Sequence, residues 1–359
     1  MMRRLLLLSF LLVLAAALIS SACSADDDDD DSGGDDDDVN DVNPPPTGYS
    51  YYEEYRWEDW PEMEQHLPFF ADRGIALLLA MRDADIGDQD LLNLLLAAQE
   101  QGVEVRCWIV LSRENGYWAN EKNAEAFAAV ALDYADWFLA ESVDIRWIGV
   151  DMEIDINTRD YLVELLEQGK FVEAGMLLLE QIDPQSFEQA AAIYRQMVQN
   201  LSQLGFKTMV VTYPQILDDL LDDDNTIQDI MNMPVSMVEW DEVSTMVYTT
   251  HFEQYTGMEY GPWVVYDYAR STVERFGDRA SIGLGVVRNA ENPDRLAADV
   301  AAAKAAGIDK IQIYSYREVL AKPDPEQWHQ TFYVEPEVPQ EDQAGKLLRA
   351  VIQLADLFL

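Results

Sequence analysis

Residues 145–154 read IRWIGVDMEI, an apolar run that closes on two carboxylates, Asp151 and Glu153, two positions apart. Successive side chains of a strand alternate faces, so residues two apart point the same way. The run predicts a buried strand. In a parallel barrel the chemistry sits at the C-terminal ends of the strands, so both acids would project into the mouth.

Outward from this run, seven more short apolar stretches are predicted as strands: 51–57, 75–81 (IALLLAM), 103–111 (VEVRCWIVL), 207–213 (KTMVVTY), 243–249 (VSTMVYT), 281–287 (SIGLGVV) and 310–316 (KIQIYSY). Segments of helical spacing lie between them. Residues 90–101 put Leu91, Leu94, Leu95 and Ala98 on one face, and Gly102 stops the helix. Residues 123–140 and 293–306 follow the same pattern, with Asn292 expected as a cap before Pro293 and Gly307 as the stop. Eight alternations within about 300 residues predict a (β/α)8 TIM barrel, with long loops after strands 4 and 6. A doubly wound open sheet is the alternative, but no glycine-rich phosphate loop follows the first strand. The connection 154–206 is expected to hold helices at 161–168 and 186–204. The connection 250–279 is rich in aromatics (HFEQYTGMEYGPWVVYDY). Such insertions sit at the catalytic end of a barrel and shape its cleft.

The N-terminus predicts targeting. Arg3 and Arg4 precede an apolar stretch at 5–19, the pattern of a signal peptide. Ser20-Ser21-Ala22-Cys23 resembles the lipobox of bacterial lipoproteins, with Ser20 where that motif usually has Leu. The resemblance implies cleavage after residue 22 and lipidation of Cys23, hence a membrane anchor. An ordinary secreted protein that loses Cys23 is the alternative. Ser24 follows the cysteine where an inner-membrane retention Asp would stand, which points to the outer membrane or cell surface of a bacterial envelope.

Residues 23–48 are read as an acidic tether whose like charges repel, with a maximum reach of ~80–90 Å at ~3.3–3.6 Å per residue. The Asp run lacks the Gly and Glu spacing of a calcium loop. Residues 49–359 are assigned to the barrel. The whole chain carries a formal charge of −43. Eleven acidic and two basic residues precede position 49, so the barrel segment keeps −34. Such a charge disfavours nucleic acid and anionic membrane surfaces as partners. Cys107, the other cysteine, is expected to be a small buried side chain.

Two acids crowded at a strand end cannot both ionise cheaply, so one keeps its proton and can donate it to a glycosidic oxygen. Glu153, nearer the mouth, is the candidate acid, with Asp151 orienting it. A structural ion cluster with Arg106 or Arg82 is the alternative use of the pair. A second carboxylate could come from Glu291, Glu318 or Asp83. Trp108 and Trp263 are candidate sugar-stacking platforms, while Trp147 is expected in the core.

Asp151-Met152-Glu153 on the fourth strand and Met246-Val247-Tyr248 on the sixth resemble glycoside hydrolase family 18, the chitinase-like barrels. That family ends strand four in Asp-x-Glu and carries Met-x-Tyr-Asp on strand six. The resemblance implies a proton donor at Glu153, a substrate-orienting Asp151, and a Tyr248 hydroxyl reaching an N-acetyl group whose oxygen acts as the nucleophile. It also directs attention to Met246, and to Tyr316 at the end of strand eight, as substrate contacts. The chain departs from the family at Arg146 and Gly149, where earlier acids would fall. It departs again at Thr249, and at Tyr314 and Tyr316 in place of a tryptophan.

His66, His251 and His329 form no zinc motif, and no GxSxG elbow occurs. An acidic metal site from Asp151, Glu153 and Asp155 stays open. No cofactor is implied. The expected function is therefore a lipoprotein hydrolysing O-glycosyl bonds of a glycan substrate. The alternatives are a barrel that binds glycan without cleaving it, or a structural envelope protein.

Overall fold

The computed structural model describes residues 48–54, 60–220 and 224–356. The leader, Cys23 and the acidic tether lie outside the described residues. Eight parallel strands close into a barrel in sequence order, β1 pairing with both β2 and β8. They are β1 Tyr49–Glu53, β2 Ala76–Arg82, β3 Val105–Val110, β4 Trp147–Asp151, β5 Lys207–Thr212, β6 Glu242–Met246, β7 Ala280–Gly285 and β8 Ile311–Tyr314. Helices on the outside connect them, and the predicted barrel holds.

The outer face of each strand meets a helix that its sequence starts and stops. Asp88 accepts the Leu91 N–H at 2.8 Å and opens helix Gln89–Gln101, which buries Leu91, Leu94, Leu95 and Ala98. Gly102 ends it in the left-handed conformation at φ 74°, where a side chain would strain the backbone. Leu77, Leu79, Cys107, Ile109, Ile148 and Val150 belong to the same continuous core. Each such side chain contributes roughly 1.5–3 kcal/mol on burial. Cys107 is buried and free, as the apolar run implied.

Several boundaries differ from the sequence reading. β1 begins at Tyr49, earlier than expected, and Trp57 falls outside the described residues. β6 ends at Met246 because the chain turns into helix Thr249–Thr256. Asn292 occupies the cap position but its side chain makes no capping bond, since Pro293 already removes one of the N–H groups a cap would serve. The connection after β4 carries helices Ile156–Glu167 and Phe171–Leu179 before the barrel helix Pro184–Gln203. The aromatic segment after β6 is helical, Pro262–Phe276 being its outer helix.

A third long connection, after β5, was not expected. Among its described residues it holds the short helices Ile216–Asp219 and Thr226–Ile230. The C-terminal helix Gln343–Asp356 packs against Ile216–Asp219 and Pro262–Phe276. Arg349 secures it: Nε donates to Asp218 at 2.8 Å, Nη1 to Asp267 at 3.0 Å, and the guanidinium sits 4.1 Å over Tyr268.

The lower barrel interior is polar. Arg106 reaches Glu104 at 2.7 Å and the fully buried Glu242 at 3.4 Å, while Gln312 links Glu242 to Ser244. Trp147, at the start of β4, is half-buried and carries the Arg106 guanidinium 4.6 Å over its ring. This charge cluster closes the bottom of the barrel and leaves the acids of β4 outside it.

Candidate active site

Backbone pairing carries the strand alternation past the end of β4. The Ala119 N–H donates to the Asp151 carbonyl at 2.9 Å, the Met152 N–H to Val211, and the Glu153 N–H to Ala119. Residues 151–153 are thus held extended, and Asp151 and Glu153 share one face. Both are buried, and both line a narrow cleft with about 20 Å³ of room for water-sized groups.

The cleft wall is aromatic. Tyr52, Trp108, Tyr117, Trp118, Tyr248 and Tyr314 line it. Tyr52 packs edge-on to Trp108 at 5.3 Å between centroids, and Trp108 edge-on to Tyr314 at 6.3 Å. Met246 also lines it. So Trp108, Met246 and Tyr248 reach the same cleft as the acid pair.

Trp263 and Tyr316 do not line it. Pro262 starts a helix, which places Trp263 in its first turn against Gly345 and Lys346 of the C-terminal helix. Tyr316 begins helix Tyr316–Leu320 after β8. It packs outside the barrel on Phe69 and Phe70, its hydroxyl 3.2 Å from His66 Nδ1. The inward residue at the end of β8 is Tyr314, because β8 stops there.

The electrostatics favour a retained proton. Burial pushes the Asp151 carboxyl well above the usual range, and the charges of Glu153 and then Glu54 push it further. Burial also raises Glu153, to about 7, against the Tyr213 hydrogen bond and the positive charge of Arg159, which favour its ionised form. The Tyr213 hydroxyl, at the end of β5, donates to Glu153 Oε2 at 2.5 Å. No arginine or lysine forms an ion pair with either acid among the described residues; Arg106 is taken by Glu104 and Glu242. The Arg82 backbone N–H donates to Asp85 in the turn after β2.

Three buried polar atoms at the cleft floor lack a hydrogen-bond partner: Asp151 Oδ1, the Tyr52 hydroxyl and Trp108 Nε1. The indole N–H lies near enough to favour a charged Asp151, yet outside hydrogen-bond geometry. Each unpaired group costs about 1–3 kcal/mol, which a polar ligand in the cleft would offset.

Asp155 does not join the acids. It caps helix Ile156–Glu167, accepting the Thr158 N–H at 3.0 Å. Among the described residues, no group of three His, Cys, Asp or Glu side chains gathers to hold a metal. Glu318 accepts from the Arg288 backbone, Asp83 from Asn115, and Glu291 is exposed. None of these three lines the cleft.

Glu54, one residue past β1, does line it, and sequence reading missed it. The Tyr117 hydroxyl donates to its Oε1 and Tyr314 to its Oε2, the latter at 3.2 Å. Tyr213, Tyr117 and Arg159 were also missed. A tyrosine at a strand end was the available signal for Tyr213; Tyr117 in its loop and Arg159 in helix Ile156–Glu167 gave none.

Gly149 accounts for one departure from the chitinase-like acid series. A Cβ there would lie 3.2 Å from the Cys107 carbonyl oxygen and 3.4 Å from Trp108 Cα. The backbone of β3 crowds this position, so a side chain at 149 would require β3 to give by a few tenths of an ångström.

Neither a family model nor a curated protein sequence matches the chain. Among solved structures, a glycoside hydrolase family 18 chitinase from Pseudoalteromonas aurantia aligns over 79% of this chain and 99% of its own, at 10% identity and TM-score 0.50. A putative alpha-L-fucosidase from Bacteroides thetaiotaomicron aligns over 86% of this chain and all of its own (100%), at 12% identity and TM-score 0.48. A spore cortex-lytic enzyme from Bacillus megaterium covers 83% of this chain and 77% of its own, at 12% identity and TM-score 0.48. At these identities the chitinase likeness is one of barrel fold.

Proposed function

We propose that the chain hydrolyses a glycosidic bond, with Glu153 as the proton donor. One observation carries this: Asp151 and Glu153 are buried on one face of a strand end, with no cation paired to them, in a cleft walled by aromatic rings. Glu153 holds its proton up to about pH 7 and lies where a glycosidic oxygen would enter. Asp151 is pushed up further still, so it keeps a proton beside Glu153, and its hydrogen bond works with that of Tyr213 to set how readily Glu153 gives up its own. Trp108, Tyr314 and Tyr248 give the cleft an apolar wall suited to a sugar ring, and the unpaired floor atoms suit hydrogen bonds to its hydroxyls.

The likeness in fold to a chitinase and the Asp-x-Glu and Met-x-Tyr motifs point the same way. They raise substrate-assisted cleavage beside an N-acetylated sugar, with Tyr248 positioned for the acetamido group, as one route. The signal-like residues 1–22 and the lipobox resemblance at 20–23 support an envelope location for this activity, with an anchor at Cys23.

The test is release of reducing ends from a panel of plain and N-acetylated glycans by the wild type and by Glu153→Gln. Turnover that the variant loses while keeping its fold supports the proposal. Binding without turnover by the wild type would instead make the barrel a glycan-binding protein, a role the absence of acids at 146 and 149 would suit.

A further inference from the structure

Resting on the reading of Glu153 as a glycosidase acid, we propose that Glu54 is the second catalytic carboxylate, and that the site therefore cleaves glycosides with no N-acetyl group. Glu54 and Glu153 line one cleft from β1 and β4, strands that stand three places apart around an eight-membered ring. Both reach the mouth of the barrel, and the charge of Glu54 is felt at both Asp151 and Glu153.

Their surroundings differ in the sense that separates a base from an acid. Glu153 is buried and receives one phenol. Glu54 is half-buried, and both of its oxygens accept, from Tyr117 and Tyr314, so two phenols orient it in the cleft. Its backbone is fixed as well. The preceding Glu53 is buried and accepts the Arg317 N–H at 2.6 Å and the Glu54 N–H at 3.0 Å, which ties the end of β1 to the segment after β8.

The step balances with water as co-reactant. A water between the two acids adds its oxygen to the anomeric carbon and gives a proton to Glu54. The bond from that carbon to the glycosidic oxygen breaks, and Glu153 protonates the departing oxygen. The two carboxyls then regain their starting states through solvent. A carboxylate that activates water, with no covalent glycosyl–enzyme formed, is the chemistry of an inverting hydrolase.

The experiment uses 2,4-dinitrophenyl glycosides of plain sugars with the full chain, its Glu54→Ala and Glu54→Gln variants, and Glu153→Gln, with circular dichroism to verify the fold. Both Glu54 variants are expected to lose at least about 100-fold in turnover. Azide is expected to restore Glu54→Ala, with formation of a glycosyl azide, because a small anion can replace a missing base-activated water. A merely structural Glu54 would give no such product. Full turnover by Glu54→Gln, beside a Glu153→Gln variant impaired on an unactivated glycoside, would overturn the role of Glu54 and leave the glycosidase reading intact. A wild type inactive on every glycoside, N-acetylated ones included, would remove both.

Discussion

Tyr213 and Glu153 end adjacent strands of the barrel, and the tyrosine hydroxyl donates to Glu153 Oε2 at 2.5 Å. This bond favours the ionised carboxylate, against the burial that raises it. Tyr213→Phe therefore lifts the pH at which Glu153 loses its proton. The alkaline limb of the pH–rate profile should move up by about one pH unit, as expected for losing a hydrogen bond to a charged group. An unmoved limb would separate Tyr213 from the titration.

Burial of Glu153 also has a sign in stability. The folded chain keeps this proton to about pH 7, while the unfolded chain releases it near 4.5. Between those values the native state binds more protons, so stability falls as pH rises through the window. Glu153→Gln removes the buried charge. At pH 8 it should stabilise the protein by about 2–3 kcal/mol, and at pH 4 by almost nothing. Thermal unfolding at the two pH values checks this.

A Cβ at Gly149 would press on the backbone of β3, 3.2 Å from the Cys107 carbonyl oxygen. Gly149→Ala should destabilise the barrel by about 1–3 kcal/mol through overpacking. Gly149→Asp should do worse, adding a buried charge next to Asp151, and should yield no gain in turnover. Denaturant midpoints and reducing-end assays on both variants decide the matter.

Trp108 and Trp263 part company. Trp108→Ala opens the cleft wall and should weaken glycan binding about 10-fold or more. Trp263→Ala should leave binding unchanged and lower the melting temperature, since its ring packs on Gly345 and Lys346. Calorimetric titration of both variants with one glycan is the check.

The barrel was legible because its strands are continuous apolar runs separated by amphipathic helices with ordinary stops. Asp151 and Glu153 were legible for the same reason: alternation fixes their common face, and Ala119 merely extends it. The connections were harder. After β5 the outer layer is supplied partly by residues 343–356, and Arg349 reaching Asp218 is a contact no local pattern announces. Trp263 misled because an aromatic-rich segment says nothing about which way a helix turns its rings. Glu54 was hidden one residue past the weakest strand, where nothing local distinguishes a cleft residue from a solvated one. Tyr117 and Tyr314, which hold it, come from positions 63 and 260 residues away.

The proton-donor role of Glu153 is tested most directly by varying the leaving group. Turnover of an unactivated glycoside and of its 2,4-dinitrophenyl counterpart would be compared between the wild type and Glu153→Gln. Dinitrophenolate departs without a proton, so the variant should lose about 10²–10⁴-fold on the first substrate and under about 10-fold on the second. Equal losses on both, or none on either, would contradict Glu153 as the acid.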